Sequence, residues 1–229
     1  MVDVRSNART PVREFLLNAP ASRYNNKKLG YPSFRSDISL DLSHITDELH
    51  DTIVKYFPRY FQETDELSID NFISNILHKE SLFKGSELTV PHVDSVGSVF
   101  AGVVYLNSND DKVSGTSFYR NRALNNISFM PVSDRSRSSL SEDEERQLDD
   151  ISLEYGISCP IDFWNHSSCS ANDEIYFSDE NDNWTSCLSV ESKFNRLIFY
   201  EAKQFHSVSG KIEDFSDNLL RINQALFWS

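Results

Sequence analysis

Val99–Leu106 reads VFAGVVYL, and this stretch decides the fold. It is short, nearly continuous in apolar residues, and rich in β-branched and aromatic side chains, as a buried strand should be. Working outward, the same character returns in Gly115–Arg120 (GTSFYR), Arg196–Tyr200 (RLIFY) and Leu219–Trp228 (LLRINQALFW). Upstream, Ile69–His78 carries Phe72, Ile73, Ile76 and Leu77 with polar residues interleaved. Several short strands with turn signals between them predict a mostly β chain with flanking helices, arranged as a sandwich or jelly roll.

The flanks are less regular. Residues 1–40 are interrupted by Pro11, Pro20, Gly30 and Pro32, with one short helical stretch near Val12–Leu17. From Asp41, a residue suited to an N-cap, Leu42, Ile45, Leu49, Ile53 and Phe57 fall on one helical face, and the helix is expected to end near Pro58. A single domain is therefore expected, with 1–66 as an irregular and helical support region packed on a β core at 67–229. Between Arg120 and Phe194 the strand signal fades. SRSSLSEDEERQLDD predicts an acidic helix, with Ser141 as N-cap and Glu144 three residues on in the capping-box pattern. The stretch after it is rich in Ser, Asn and Asp. The whole segment at about 122–193 reads as a long insertion, expected to fold over the mouth of the barrel and to help select substrate.

Composition bounds the function. A chain of 229 residues that is 39% hydrophobic and 12% aromatic can bury a real core. The net charge of −13 repels phosphate backbones and anionic membrane surfaces, so no duplex nucleic acid and no membrane partner is expected. Arg5, Arg9, Arg13, Arg23, Lys27 and Lys28 are spread along the chain and read as solvated surface. There is no apolar run long enough to span a bilayer, and the N-terminal residues lack the apolar core of a signal peptide. Cys159, Cys169 and Cys187 are odd in number and lack a CxxC spacing, which predicts a reducing, cytoplasmic setting without a cysteine zinc site. Nothing in the sequence specifies an oligomeric state.

The chemistry lies in PHVDS, residues 91–95. In an extended segment His92 and Asp94 point to the same face, because side chains alternate with period two. Together they offer an imidazole and a carboxylate as two cis ligands to a divalent metal. FHSVSG at 205–210 offers a third ligand, His206, directly after the strand RLIFY. Two His and one carboxylate with open positions suit Fe(II) oxygenases. Such an iron needs a two-electron donor to split molecular oxygen, and a bidentate 2-oxo acid can take the open positions, so an anchor for its carboxylate should exist as well. Arg221, 15 residues after His206 (221 − 206), can be that anchor, because its planar fork binds a carboxylate through two parallel hydrogen bonds. His166 and Cys169 in NHSSCS lack the second pair that structural zinc wants and read as a polar loop. Trp164 and Trp184 read as packing more readily than as a substrate-stacking surface, and Tyr105 reads as core. His44, His50 and His78 have no obvious ligand partners.

The segments PHVDS, VVYLNSNDDKVSGTSFYR, RLIFYEAKQFHSVSG and LLRINQALFW together resemble the Fe(II)/2-oxoglutarate oxygenase superfamily, and within it the prolyl 4-hydroxylase-like branch. They cover about half the chain, in the family's order. The resemblance implies a double-stranded β-helix, a cupin-like jelly roll with helices packed on one side. It also implies His92, Asp94 and His206 as iron ligands, and Arg221 at the distal carboxylate of 2-oxoglutarate, with Thr116 beside it in the co-substrate site. Three departures stand out. The usual paired glycine is Gly115-Thr116, the co-substrate tyrosine is replaced by Val104, and the gap from His206 to Arg221 is longer than in many prolyl hydroxylases. These weaken a prolyl-peptide assignment and leave the iron site untouched.

The implied activity is hydroxylation of a C–H bond of a small molecule, an amino acid or a peptide, with decarboxylation of 2-oxoglutarate to succinate. Halogenation is disfavoured because Asp94 fills the position chloride would need. The alternative from another class is a non-catalytic cupin-like binding module.

Overall fold

The computed structural model describes residues 33–36, 51, 54–56, 69–78, 91–94, 98–108, 115–131, 137–138, 140–157, 183–209 and 220–228. Over these residues the chain is mostly β, with two antiparallel sheets. The strands are β1 (Ser33–Ser36), β2 (Ile69–His78), β3 (Phe100–Tyr105), β4 (Thr116–Asn121), β5 (Trp184–Val190), β6 (Leu197–Glu201), β7 (His206–Val208) and β8 (Leu220–Trp228). One sheet has the order β1-β2-β8-β3-β6 and the other β5-β4-β7. Among the described residues, no helix is long and apolar enough to cross a membrane.

VFAGVVYL becomes β3, hydrogen-bonded on one side to β8 and on the other to β6. Both of its faces are covered, which is why its sequence lacks the polar alternation of a half-exposed strand. On the inner face Ala101 and Tyr105 pack with Val190, Ile198 and Tyr200 between the two sheets. On the outer face Phe100 stacks on Phe199 at 4.9 Å between centroids, and Phe199 meets Trp228 edge-on at 5.0 Å.

The acidic segment folds as α1, Glu142–Tyr155. The Ser141 hydroxyl accepts from the Glu144 amide, and the Glu144 carboxylate accepts from the Ser141 amide, so the expected capping box is complete. Gly156 closes the helix at φ 69°, a left-handed conformation that favours glycine. Leu148 and Ile151, three apart and therefore on one face, join Tyr119, Phe129, Trp184 and Phe205 in a second core on the far side of the three-stranded sheet.

Four expectations need correction or completion. The region between Arg120 and Phe194, read without strands, supplies β5, whose Trp184 is 1% exposed in the second core. Its sequence WTSCLSV alternates poorly because it is a sheet edge with Leu188 left 55% exposed. His206 follows the RLIFY strand across a turn: residues 202–205 carry the chain into the other sheet, where His206 opens β7. The stretch 1–40, read as irregular, contains β1, paired with β2. Of the helix expected from Asp41, Asp51 and residues 54–56 are helical and exposed, and the remainder lies outside the described residues, as do Val12–Leu17, Trp164, His166 and Cys169.

The turn between β6 and β7 holds a buried ion group. Lys203 is fully buried, with its Nζ 3.0 Å from Glu144 Oε1 and 3.3 Å from Glu201 Oε2, and 5.3 Å above the Phe129 ring. It ties the first turn of α1 to the end of β6. Replacing only the cation leaves Glu201, itself 7% exposed, uncompensated in the interior. Lys203→Met is expected to cost about 3–5 kcal/mol in urea denaturation, and adding Glu144→Gln and Glu201→Gln to recover part of that loss.

Candidate metal centre

His92 and His206 face each other across the three-stranded sheet's free edge. Each backbone N–H donates to the other residue's carbonyl at 2.9 Å, so the two side chains are fixed as a cross-strand pair with ring centroids 4.6 Å apart. Two residues on, the Asp94 amide donates to Ala202 O at 3.1 Å, which keeps the segment extended and brings Asp94 to the same side as His92. The three ligand atoms lie within 4.8 Å of one another.

The protonation states are set by burial. His206 Nδ1 donates to Gln204 O at 2.9 Å, which leaves Nε2 as the lone-pair nitrogen facing the cluster. Desolvation lowers the His206 pKa to about 4, so the ring is neutral at pH 7. Burial raises the Asp94 pKa to about 6, opposed by the nearby His92 and by the Tyr200 hydroxyl. Asp94 Oδ2 is buried, has no hydrogen-bond partner, and sits 3.4 Å from His206 Nε2. A buried carboxylate oxygen left without a donor is costly unless a cation satisfies it. The donor set of two imidazoles and one carboxylate therefore fits a divalent transition metal.

Thr116 and Arg221 lie in the same cavity, of about 60 Å³, which is lined by His92, Asp94 and His206 together with these two and Tyr200. Arg221, 4% exposed, donates from Nη2 to Gly115 O at 3.1 Å and lies over the Tyr105 ring, 5.7 Å from its centroid. The Tyr105 hydroxyl donates to Thr116 Oγ1 at 2.7 Å. Tyr105 is buried as expected, and its polar end belongs to the wall around Arg221. Gly115 is required by packing, because a Cβ there would lie 1.8 Å from Val190 O.

All five sequence-derived site residues thus line one cavity. The reading missed Tyr200. Its hydroxyl lies 3.1 Å from His206 Nε2, and burial together with the neighbouring Asp94 carboxylate raises its pKa well above the usual tyrosine value. The signal was present: Tyr200 alternates with Ile198 on RLIFY, so it shares the inward face just before the turn to His206.

A family model described as "Family of unknown function (DUF6445)" matches residues 7–156 and 165–218. Comparison with curated proteins gives no match. Among solved structures, the chain is similar to an N-substituted L-amino acid dioxygenase from Burkholderia ambifaria AMMD at 12% identity, over 83% of this chain and 72% of that one, with a TM-score of 0.28.

The charge arrangement has a measurable consequence. Because the folded Asp94 pKa lies above its ordinary value of 3.8, its stabilising contribution to the metal-free protein is present below pH 3.8 and lost as pH rises through about 6. The ionised form then costs up to about 3 kcal/mol at neutral pH. Asp94→Asn should stabilise the chelator-treated protein by up to that amount at pH 7 and by little near pH 3.5, in urea titrations at both values. The same substitution should abolish metal uptake. In the unsubstituted protein, metal affinity measured by calorimetry should fall as pH drops below about 6, where a proton competes for Asp94.

Proposed function

The chain belongs to the DUF6445 family, whose description names no chemistry, and from the site itself we propose that this protein is a non-haem Fe(II)- and 2-oxoglutarate-dependent dioxygenase that hydroxylates a C–H bond. The observation that carries this reading is the shared cavity, with His92, Asp94 and His206 at one part of its wall and a buried Arg221 at another. A metal-binding module alone has no need of a buried guanidinium facing the same space. The strand pairing supports the reading too. Counted from β2 with the His92 segment as the second strand, first pairs with eighth (β2·β8), second with seventh (His92·His206), third with sixth (β3·β6) and fourth with fifth (β4·β5). Nested pairing of this kind is that of a jelly roll.

An iron held by His92, Asp94 and His206, with a 2-oxo acid anchored at Arg221, would supply the activation of oxygen and the electrons for it. What the chain contributes is position and charge. Asp94 places a carboxylate beside the two imidazoles, and the Gln204 carbonyl holds His206 in the tautomer that presents Nε2. Arg221, steadied by the Gly115 carbonyl and the Tyr105 ring, offers its fork to a distal carboxylate. Thr116 Oγ1 is oriented by Tyr105 and lines the same space. The Tyr200 hydroxyl, within reach of both Asp94 and His206, positions these ligands. Phe227 and Val208 add apolar surface to the walls. The cofactor is Fe(II), the co-substrates are 2-oxoglutarate and molecular oxygen, and the primary substrate is a small molecule, an amino acid or a peptide.

Anaerobically loaded with Fe(II) and 2-oxoglutarate and then exposed to oxygen, the protein should form succinate, quantified by mass spectrometry, and form none without oxygen. Arg221→Ala should raise the 2-oxoglutarate requirement by roughly 2–5 kcal/mol in apparent affinity while leaving iron binding nearly unchanged. Oxygen-independent succinate, or wild-type 2-oxoglutarate dependence in the variant, would count against the assignment. Tyr200→Phe should keep iron binding and shift the pH dependence of succinate formation, because it removes the hydroxyl that acts on Asp94 and His206.

A further inference from the structure

A second, larger cavity of about 520 Å³ adjoins the metal centre, lined by residues of β4, β5, β6 and the turns that follow β4 and β6. Tyr200 lines both cavities, so one side chain forms the partition between them. Phe118, Leu188, Val190 and Ile198 give the walls apolar segments, and Ser128, Cys187 and Gln204 give polar ones. Two charged side chains also face the space, Glu201 and Arg120. They differ in one respect. Glu201 is buried and paired with Lys203 at 3.3 Å, an ammonium it shares with Glu144. Arg120 is exposed, and its guanidinium has no hydrogen bond or ion pair with any described residue.

Arg120 stands two residues beyond Phe118 on β4, and both side chains line this cavity. In a chain of net charge −13, the charged side chain of this cavity that has no partner among the described residues is a cation. A space with apolar wall segments and such a cation favours a ligand with an apolar body and an anionic end.

We propose that this cavity receives the primary substrate of the oxygenase, and that this substrate is a small organic anion whose carboxylate or phosphate pairs with Arg120 while its apolar body reaches inward to Tyr200. The word substrate rests on the oxygenase reading, whereas the binding preference does not. A molecule held this way is fixed at the end remote from the metal, and its inner end is presented past Tyr200 to the cluster of His92, Asp94 and His206. Arg120 is in this sense a specificity-determining residue.

The test uses the full chain, metal-free and in chelator, titrated by calorimetry with four probes sharing one aromatic body: naphthylacetate, naphthyl phosphate, neutral naphthylacetamide and cationic naphthylmethylamine. Two fused rings are too broad for the 60 Å³ cavity beside Arg221, so the titration reads the larger space. At least one of the two anions is expected to bind about fivefold or more tighter than the amide, and the amine weakest. Their relative order distinguishes carboxylate from phosphate. Arg120→Gln should bring the anions down to the amide, and Arg120→Glu should invert the order so that the amine binds best. Both variants should melt with the wild type, since Arg120 is exposed.

An amide that binds as tightly as both anions, an order unchanged in Arg120→Glu, or no binding of any probe overturns the proposal. Anion selectivity in a protein that makes no oxygen-dependent succinate would remove the oxygenase reading and leave the cavity's preference standing. Succinate formation without anion selectivity would do the reverse.

Discussion

Residues 202–205, the turn between β6 and β7, are where the two sheets, the helix and the metal centre are joined. Within this short turn, Ala202 O accepts from the Asp94 amide and Gln204 O accepts from His206 Nδ1. The backbone of Lys203 and Phe205 pairs with Met130 and Ser128, while the Lys203 ammonium holds α1 through Glu144. Each contact is ordinary in strength. Their common location means that the orientation of two of the three metal-ligand candidates is inherited from one short stretch of backbone, which a buried ion group keeps in place.

The centre also shows how function is set against stability. A carboxylate held in a buried pocket is an unfavourable arrangement for an empty protein, and so is a guanidinium at 4% exposure. Sheet packing pays for both. β3, β6 and β8 bury aromatic and aliphatic surface on two faces, and the inner cluster around Tyr105 and Tyr200 is at once core and wall of the site. The aromatic rings provide apolar bulk, and their hydroxyls reach Thr116 and His206.

Much of this was legible in the sequence. Strands β2, β3, β4, β6 and β8 fall within a residue or so of the apolar runs that predict them, because buried strands leave dense, β-branched sequence. The capping box at Ser141 and Glu144 is local chemistry and is realised as written. The HxD spacing needs only period two, and a strand-borne His and Arg supply the rest. What was hidden depends on the neighbours. β5 is a polar edge strand whose membership of the sheet is decided by pairing with β4, and three-residue β7 is too short to carry a pattern. Tyr200 and Arg120 acquire meaning only once register shows that they line the same space.

The backbone bridge between His92 and His206 joins positions 114 residues apart (206 − 92). An unfolded chain retains only His92 and Asp94 two residues apart, a poor chelator, and gains the third donor when β7 docks against the segment before β3. Contacts of such sequence separation carry a large loop-closure cost and favour late formation. The metal proposed for this cluster therefore finds its full donor set only in a chain that has already brought these two segments together. Its uptake would report on the docking of β7, an event separate from the pairing of β2 with β8, whose partners Ile69 and Trp228 lie farther apart still.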